Sequence, residues 1–128
     1  MTDNRHRYRF GPRLRLSGRR AFALVYGARM RKNLGPISVC ARPNGLDHPR
    51  LGLSVSRKVG TAVRRHRIKR LLREAFRLDR HSWQGAYDLV VIVHPHEVIA
   101  LEDYQRLLAE AVEAVHGEWE RRKRREGG

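Results

Sequence analysis

The sequence lacks several features that mark common classes of protein. Its one cysteine, Cys40, has no partner for an internal disulfide, which favours a reducing compartment such as the cytoplasm. Its apolar runs, such as Leu89 to Val93, are far too short to span a bilayer. The arginine-rich start, Met1 to Arg15, has no apolar segment of the kind that a secretory signal needs. We therefore expect a cytoplasmic protein with no membrane role.

Acidic residues are scarce as well, with 13 Asp and Glu against 28 Lys and Arg. They are not spaced as a carboxylate cluster for a two-metal nuclease, and no Cys–His–Asn arrangement is readable around Cys40. His94, His96 and Glu97 have the chemistry of zinc ligands, but Pro95 holds them in an extended path with no fourth ligand nearby. We predict no catalytic residue and no metal site in this chain.

The chain instead has a large positive charge on a small body. Its 128 residues suffice for one domain with a modest core, and its formal charge is +15. Charge of one sign repels itself, and a polyanion relieves that repulsion, so nucleic acid is the first candidate partner. The basic residues are mostly arginine, whose guanidinium matches phosphate oxygens and stacks on bases. A GC-rich genome would produce the same arginine excess.

The hydrophobic pattern predicts a sandwich of helices on one small sheet. Alternating runs predict strands and apolar residues at helical spacing predict helices. The predicted elements are a helix capped by Ser17, strands over 37–41, 51–56 and 87–93, and helices that start near Thr61 and Glu102. This order implies an α+β or α/β sandwich, and we predict an α+β fold with three to four strands.

We divide the chain into three parts. Residues 1–15 carry five Arg without an apolar period, and we expect a flexible basic arm that becomes ordered on a partner. Residues 16–116 form the single folded domain. Residues 117–128 form a basic tail, and we expect Arg121 to Arg125 to fray in solution.

The strongest functional signal is a basic segment over residues 57–77. Nine of its 21 residues are Lys or Arg, and Glu74 is its only acid. On a helical wheel about Ile68, apolar residues share one arc and basic residues the opposite arc. A merely solvated face would mix charges, so this face predicts contact with a polyanion. The predicted RNA-binding residues are Arg57, Lys58, Arg64, Arg65, His66, Arg67, Lys69, Arg70, Arg73 and Arg77.

The strands before this helix predict a trough. Their aliphatic residues alternate with small ones, so one sheet face would be an open floor unless a helix fills it. The predicted floor residues are Ser38, Cys40, Gly52, Ser54 and Ser56. Phe22 and Tyr26, one helical turn apart, would form a wall and stack on unpaired bases, or would anchor the first helix in the core. For Phe22 we favour the core, whereas the Tyr26 hydroxyl fits a wet edge equally well.

The basic segment, from Lys58-Val59-Gly60 to Arg73-Glu74-Ala75-Phe76, resembles the signature of the bacterial ribonuclease P protein family. The strand residues Arg50 to Ser56 and Tyr87 to Ile92 and the first-helix residues also resemble that family, over about residues 14–116. One difference is that Arg65-His66-Arg67 stands where the family has Arg-Asn-Arg. An imidazole still donates or accepts one hydrogen bond there.

The resemblance implies the protein subunit of a ribonucleoprotein endonuclease that removes the 5′ leader from precursor tRNA. The implied partners are the catalytic RNA, contacted by the basic helix, and the single-stranded leader, held in the trough. The implied cofactor is Mg²⁺, held mainly by the RNA together with the catalytic chemistry. No protein oligomer is expected.

The resemblance also implies a fold like the second domain of ribosomal protein S5. Its strand–helix–strand crossover would be left-handed, against the usual preference. Two other functions remain open. A structural RNA-binding protein, such as a ribosomal protein, would share the charge but need no trough, and a protein nuclease would need carboxylates that the sequence does not group.

Overall fold

The computed structural model describes residues 10–127. Helices and strands are numbered in chain order. They are α1 (Arg19–Gly27), β1 (Arg31–Leu34), β2 (Ile37–Pro43), β3 (Arg50–Val55), α2 (Ala62–Asp79), β4 (Tyr87–Val93) and α3 (Leu101–Gly127). Short 3₁₀ turns precede α1 and α2 and follow α2. The predicted α+β order of elements is confirmed.

The four strands form one mixed sheet in the order β1-β2-β4-β3. β2 is antiparallel to both neighbours, whereas β3 and β4 are parallel. Because parallel neighbours need a crossover connection, α2 carries the chain from the end of β3 back to the start of β4. The left-handed sense of this crossover, and the likeness to the S5 domain, stay predictions.

One face of the sheet, which we call the closed face, packs against α2 and α3. Odd-numbered residues of β2 and β4 point to this face, and Ile37, Val39 and Val91 are fully buried there. The helices contribute stripes at helical spacing that include Phe76 and Tyr104. Burying a large apolar side chain contributes about 1.5–3 kcal/mol, so this face supplies most of the stability.

Within residues 10–127, the opposite face, which we call the trough face, packs only against α1 and the segment before it. A second, smaller cluster joins Leu16, Val25, Cys40 and Val90, with Phe22 partly buried at its edge. β2 and β3 have small residues at these positions, which lets the short helix lie close to the strands. The trough face is therefore only partly covered.

The first helix starts differently from the prediction. Gly18, with φ of 94°, is the N-cap of α1 and no side chain caps the helix, so the assignment of Ser17 as N-cap is wrong. The reason is tertiary. The Leu16 N–H donates to Leu51 O at 2.9 Å and Arg15 forms a β-bridge with Leu51, so the segment just before Ser17 is held against β3.

The sequence pattern predicts three to four strands but gives positions for only three, and β1 is the fourth. Its residues, Arg31 to Leu34, show no apolar alternation, because β1 lies at the edge of the sheet and is half exposed. The Gly35-Pro36 segment forms the turn of the β1–β2 hairpin, where Leu34 pairs with Ile37. Gly35 has φ of 66°, a conformation that glycine adopts at little cost.

Both chain ends differ from the expected arm and tail. Phe10 packs edge-on against Phe76 with ring centroids 5.6 Å apart, and Leu14 is buried, so residues 10–15 belong to the folded domain. The expected arm residues Arg5, Arg7 and Arg9 lie outside the described residues. At the other end α3 continues without a break to Gly127, so the expected frayed tail is helical. Among residues 10–127, no helix is long and apolar enough to cross a membrane.

Candidate RNA interface

The basic face of α2 is positioned by a well-defined helix start. Thr61 is the N-cap, and its side-chain oxygen accepts a hydrogen bond from the Arg64 backbone N–H at 3.2 Å. Gly60 has φ of 150°, and a Cβ there would lie 2.7 Å from Cδ of Arg64. The glycine and the threonine together turn the chain from β3 into the helix, as the sequence predicts.

The ten predicted RNA-binding residues all remain at least partly exposed. The exposed ones are Arg57, Lys58, Arg64, His66, Arg67 and Arg70, and the partly buried ones are Arg65, Lys69, Arg73 and Arg77. Ile68 and Leu72 on the opposite arc are fully buried in the core. The two arcs of the helical wheel are thus a solvent face and a core face.

Few acidic side chains pair with these cations. Glu74 pairs with Arg77, whose Nε donates to Glu74 Oε2 at 2.9 Å, and this hydrogen bond is the main reason that the pKa of Glu74 is lowered. Glu97 lies 3.8 Å from the Arg64 guanidinium. Arg67 and Arg70 have no ion pair with any acid of the described chain. The middle of this face therefore keeps uncompensated positive charge.

Arg15 lies close enough to Arg73 to add to the positive charge of this face. The pKa of Arg73 is lowered, first by burial and second by the charge of Arg15. Burial and a like charge both disfavour the protonated form, and a bound phosphate would reverse the second effect. A nearby anion would therefore offset part of the unfavourable free energy of keeping Arg73 protonated.

An exposed valine lies among the cations and was missed by sequence reasoning. Val63 is 81% exposed, whereas the next most exposed large apolar residue of the described chain, Leu24, is 50% exposed. With Ala62, His66, Arg67 and Arg70 it lines an open depression of about 530 Å³. Its position on the basic arc of the helical wheel was a usable signal, because an apolar residue there has no core to join.

The predicted trough floor is aligned by the sheet register. Ser38 pairs with Ile92, which pairs with Ser54, and Cys40 pairs with Val90, which pairs with Gly52. The small residues thus share one face, but β4 places Val90 and Ile92 between them. The floor is a mixture of small and branched side chains.

Part of this floor is not open, which corrects the prediction for three residues. Ser38 is fully buried, Cys40 is 5% exposed, and Gly52 is buried beneath Phe22. Val25 of α1 packs with Cys40, and Arg31 and Asn33 of β1 hydrogen-bond with Ser38. Burial also raises the pKa of the Cys40 thiol, which disfavours the thiolate that a nucleophile needs.

The accessible part of the trough face lies toward β3 and the outer side of α1. Ser54 is partly exposed and Ser56 is exposed. Tyr26 is 42% exposed, and its ring centroid lies 6.4 Å from that of Phe22, with the rings inclined at 72°. The geometry gives Tyr26 an aromatic surface that faces solvent beside the trough.

Phe22 anchors the helix to the sheet. A Cβ on Gly52 would lie 2.7 Å from Cζ of Phe22 and 3.1 Å from Leu16 O, so only glycine lets the ring approach β3 this closely. The core interpretation of Phe22 therefore fits the structure. Its partly buried edge still adjoins Tyr26.

A polar network at one end of the trough face was also missed. Ser38 Oγ lies 2.7 Å from both Asn33 Oδ1 and His94 Nε2, and accepts from Arg31 at 3.3 Å. A hydroxyl has one hydrogen, so when Ser38 donates to Asn33, His94 Nε2 must carry the proton and donate to Ser38. The His94 N–H donates to Pro36 O at 2.9 Å, which holds the end of β4 beside the start of β2 and brings these side chains together. Local sequence gives no sign of this network.

The histidines weighed as zinc ligands make hydrogen bonds instead. His96 Nδ1 lies 2.8 Å from His94 O, and its Nε2 lies 2.7 Å from the buried Tyr104 hydroxyl. Within residues 10–127, no three His, Cys, Asp or Glu side chains are gathered in a way that would hold a metal ion.

Comparison with known proteins accounts for this combination of fold and basic helix. The Ribonuclease P family model matches residues 10–117. The fold is similar to that of the RNase P protein from Thermotoga maritima in complex with 1-(4-fluorophenyl)-2-thiourea. The TM-score is 0.70 at 33% identity, and the match covers 77% of this chain and 96% of that one.

Two curated relatives carry the same description. The chain is 40% identical over 78 residues to the ribonuclease P protein component of Syntrophus aciditrophicus, covering 61% of this chain and 66% of that protein. It is 35% identical over 102 residues to the ribonuclease P protein component of Aliivibrio fischeri, covering 79% of this chain and 87% of that protein. The chain belongs to the ribonuclease P protein family.

Proposed function

We propose that the chain is the protein subunit of a ribonuclease P holoenzyme. It binds the catalytic RNA through the basic face of α2 and holds the 5′ leader of precursor tRNA beside α1 and β3. In this way it promotes Mg²⁺-dependent removal of the leader. Family membership supports the general role. The single observation that carries the proposed RNA binding is the row of cations on α2, which few acidic side chains neutralise.

The basic face would act through phosphate contacts. Guanidinium groups of Arg67 and Arg70 would donate to phosphate oxygens, and each contact would release counterions from the RNA. The exposed Val63 would add an apolar contact to a ribose or base edge. Such contacts fix the orientation of a protein on RNA and carry little sequence information.

The trough would act on unpaired nucleotides. Tyr26 presents an exposed ring on which one base can stack, and base stacking tolerates different sequences. Ser54 and Ser56 add small hydroxyl groups beside it. A leader held here would tether the substrate next to the catalytic RNA.

The cleavage chemistry would remain with the RNA. The described residues do not form a carboxylate cluster that fits Mg²⁺, so no step of the reaction is assigned to a metal held by this chain. A structural RNA-binding role is the second candidate, and the burial of Ser38 and Cys40 favours it because that burial narrows the trough.

A processing assay tests the proposal. A bacterial ribonuclease P RNA and a precursor tRNA are incubated at low Mg²⁺ with the protein, without it, and with a variant in which Arg67 and Arg70 are both replaced by Gln. Arg106→Gln, which removes an exposed arginine of α3 that pairs with Asp103, is the matched control.

We expect cleavage at the leader junction to be fast only with the wild type and the Arg106 variant. Protein alone, treated with nuclease to remove contaminating RNA, should not cleave. Cleavage by the protein alone, or no effect of the protein on the RNA, would contradict the proposal.

A further inference from the structure

The last helix continues beyond the part of the chain that matches the family. The match ends at residue 117, whereas α3 continues to Gly127. This extension is not a free basic rod, because three of its side chains, Glu118, Trp119 and Arg122, contact other elements. One of them, Arg122, contacts the end of α1.

Trp119 fixes the extension to the sheet. Its ring packs against the core, and its Nε1–H donates to Ala41 O of β2 at 3.2 Å. The guanidinium of Arg122 lies over the same ring, 4.8 Å from its centroid. This cation–π contact therefore favours one position of the guanidinium beside the indole.

Arg122 donates to two carbonyls at the end of α1. Nη1 lies 3.0 Å from Ala28 O, and Nη2 lies 2.7 Å from Arg29 O. Ala28 is the C-cap of α1, and Arg29 has φ of 54°. Carbonyls at a helix C-terminus lack intrahelical partners and form the negative end of the helix dipole, so a guanidinium there stabilises both.

A second contact ties the extension to the strand that follows α1. Glu118 Oε1 lies 3.5 Å from Nζ of Lys32 in β1 and 2.7 Å from Arg121 of its own helix. These two contacts of the extension, through Arg122 and Glu118, are both with the segment that leads out of α1.

We propose that Arg122 is a positioning residue for the leader. It clamps the C-terminal end of α1 and thereby holds Tyr26, three residues before Arg29 and bonded to it through the Arg29 N–H at 3.1 Å, at the edge of the trough. The inference rests on the proposed function, because it assigns Arg122 an effect on leader binding without contact to the leader.

Three variants separate positioning from charge. Arg122→Gln removes the clamp. Arg122→Lys keeps the charge but loses the planar fork that stacks on Trp119 and reaches two carbonyls. Arg121→Gln is the matched control, since it removes one charge from the same turn and its hydrogen bond is with Glu118 of the same helix.

The first readout needs no RNA. Hydrogen exchange of the Ala28 and Arg29 amides, which close the last turn of α1, is measured in the free full-length protein. Both Arg122 variants should speed this exchange, because the turn loses its anchor, whereas Arg121→Gln should not. Unchanged exchange in Arg122→Gln would overturn the clamp.

The second readout is the ratio of dissociation constants for precursor and mature tRNA in the holoenzyme. Both Arg122 variants should lower the preference for precursor at least about threefold, because a displaced Tyr26 would lose its stacked base. Rescue by Arg122→Lys would mean that charge alone matters. Equal weakening of both ligands with a shallower salt dependence would mean that Arg122 contacts RNA directly, which also overturns the proposal.

The two readouts distinguish failure of this inference from failure of the proposed function. If the wild-type holoenzyme shows no preference for precursor, both the proposed leader binding and the positioning role are wrong. This holds even if faster exchange in the Arg122 variants shows that Arg122 does stabilise the end of α1. If wild type prefers precursor and the Arg122 variants keep that preference with faster exchange, only the positioning role is wrong.

Discussion

The closed face and the trough face of the same sheet are covered in different ways. α2 and α3, 18 and 27 residues long, bury large aliphatic side chains on the closed face. In the described part of the chain, the trough face is covered by the nine residues of α1 and the segment before it, which form a small cluster around Val25. Many contacts hold the helices on the closed face, and a few individual contacts hold α1 on the trough face. We infer that the stability of the fold comes mainly from the closed face and that ligand binding takes place on the trough face.

Truncating the core of the closed face should have the largest effect. Phe76 is fully buried and packs edge-on against both Phe10 and Trp83. Phe76→Ala should lower the free energy of unfolding by about 3–5 kcal/mol. Urea denaturation checks this, with Phe22→Ala as the comparison from the trough face. A loss for Phe22→Ala as large as that for Phe76→Ala would refute the difference between the faces.

A methyl group added under α1 should disturb the trough face at intermediate cost. Gly52→Ala would place a Cβ 2.7 Å from the Phe22 ring, so the ring must move, at about 1–3 kcal/mol of stability. Gly117→Ala is the control. Its Cβ would meet nothing closer than 3.6 Å, and removing a helical glycine should stabilise by up to about 1 kcal/mol. A neutral Gly52→Ala would show that Phe22 does not anchor the helix.

The basic face of α2 should affect binding and not folding. Replacing Arg70 and Arg73 together by Gln should make the salt dependence of RNA affinity shallower by about one to two log units per log unit of salt. Thermal unfolding should change little, because neither residue is in the core. An unchanged slope would mean that the RNA is bound elsewhere.

The surface pair Glu74–Arg77 should have the smallest effect. Glu74 is 39% exposed, so solvent screens the pair, and Glu74→Gln should cost no more than about 0.5 kcal/mol at neutral pH. The folded pKa of Glu74 is lowered, so this stability is complete above the ordinary value near 4.5 and is lost as pH falls through the lowered pKa. A difference between wild type and variant that grew toward low pH would contradict this sign.

Local patterns predicted those parts of the fold that local chemistry decides. The start of α2 at Ala62, its two faces and the buried strand β4 follow from capping, helical spacing and a continuous apolar run. The strand β1 and the N-cap of α1 depend on pairing with distant residues, which no local pattern records. The burial of Cys40 depends on where α1 docks, so the trough predicted from strand alternation was wider than the one that forms.

The basic end of the chain shows the same limit. Five consecutive basic residues suggested a frayed tail, because repulsion along a helix is unfavourable. The structure offsets this repulsion with contacts that lie far away in sequence. Arg122 binds carbonyls 93 and 94 residues away, and Trp119 binds a carbonyl of β2.

The central claim is that the trough face binds the leader, and the preference for precursor over mature tRNA tests it most directly. Dissociation constants of the holoenzyme for both RNAs are measured at fixed salt and Mg²⁺, with wild type and with Tyr26→Ala. We expect the variant to weaken precursor binding by about 1–3 kcal/mol, leave binding of mature tRNA nearly unchanged and keep the fold. Equal weakening of both RNAs, or no weakening of either, would show that the exposed ring beside the trough does not hold the leader.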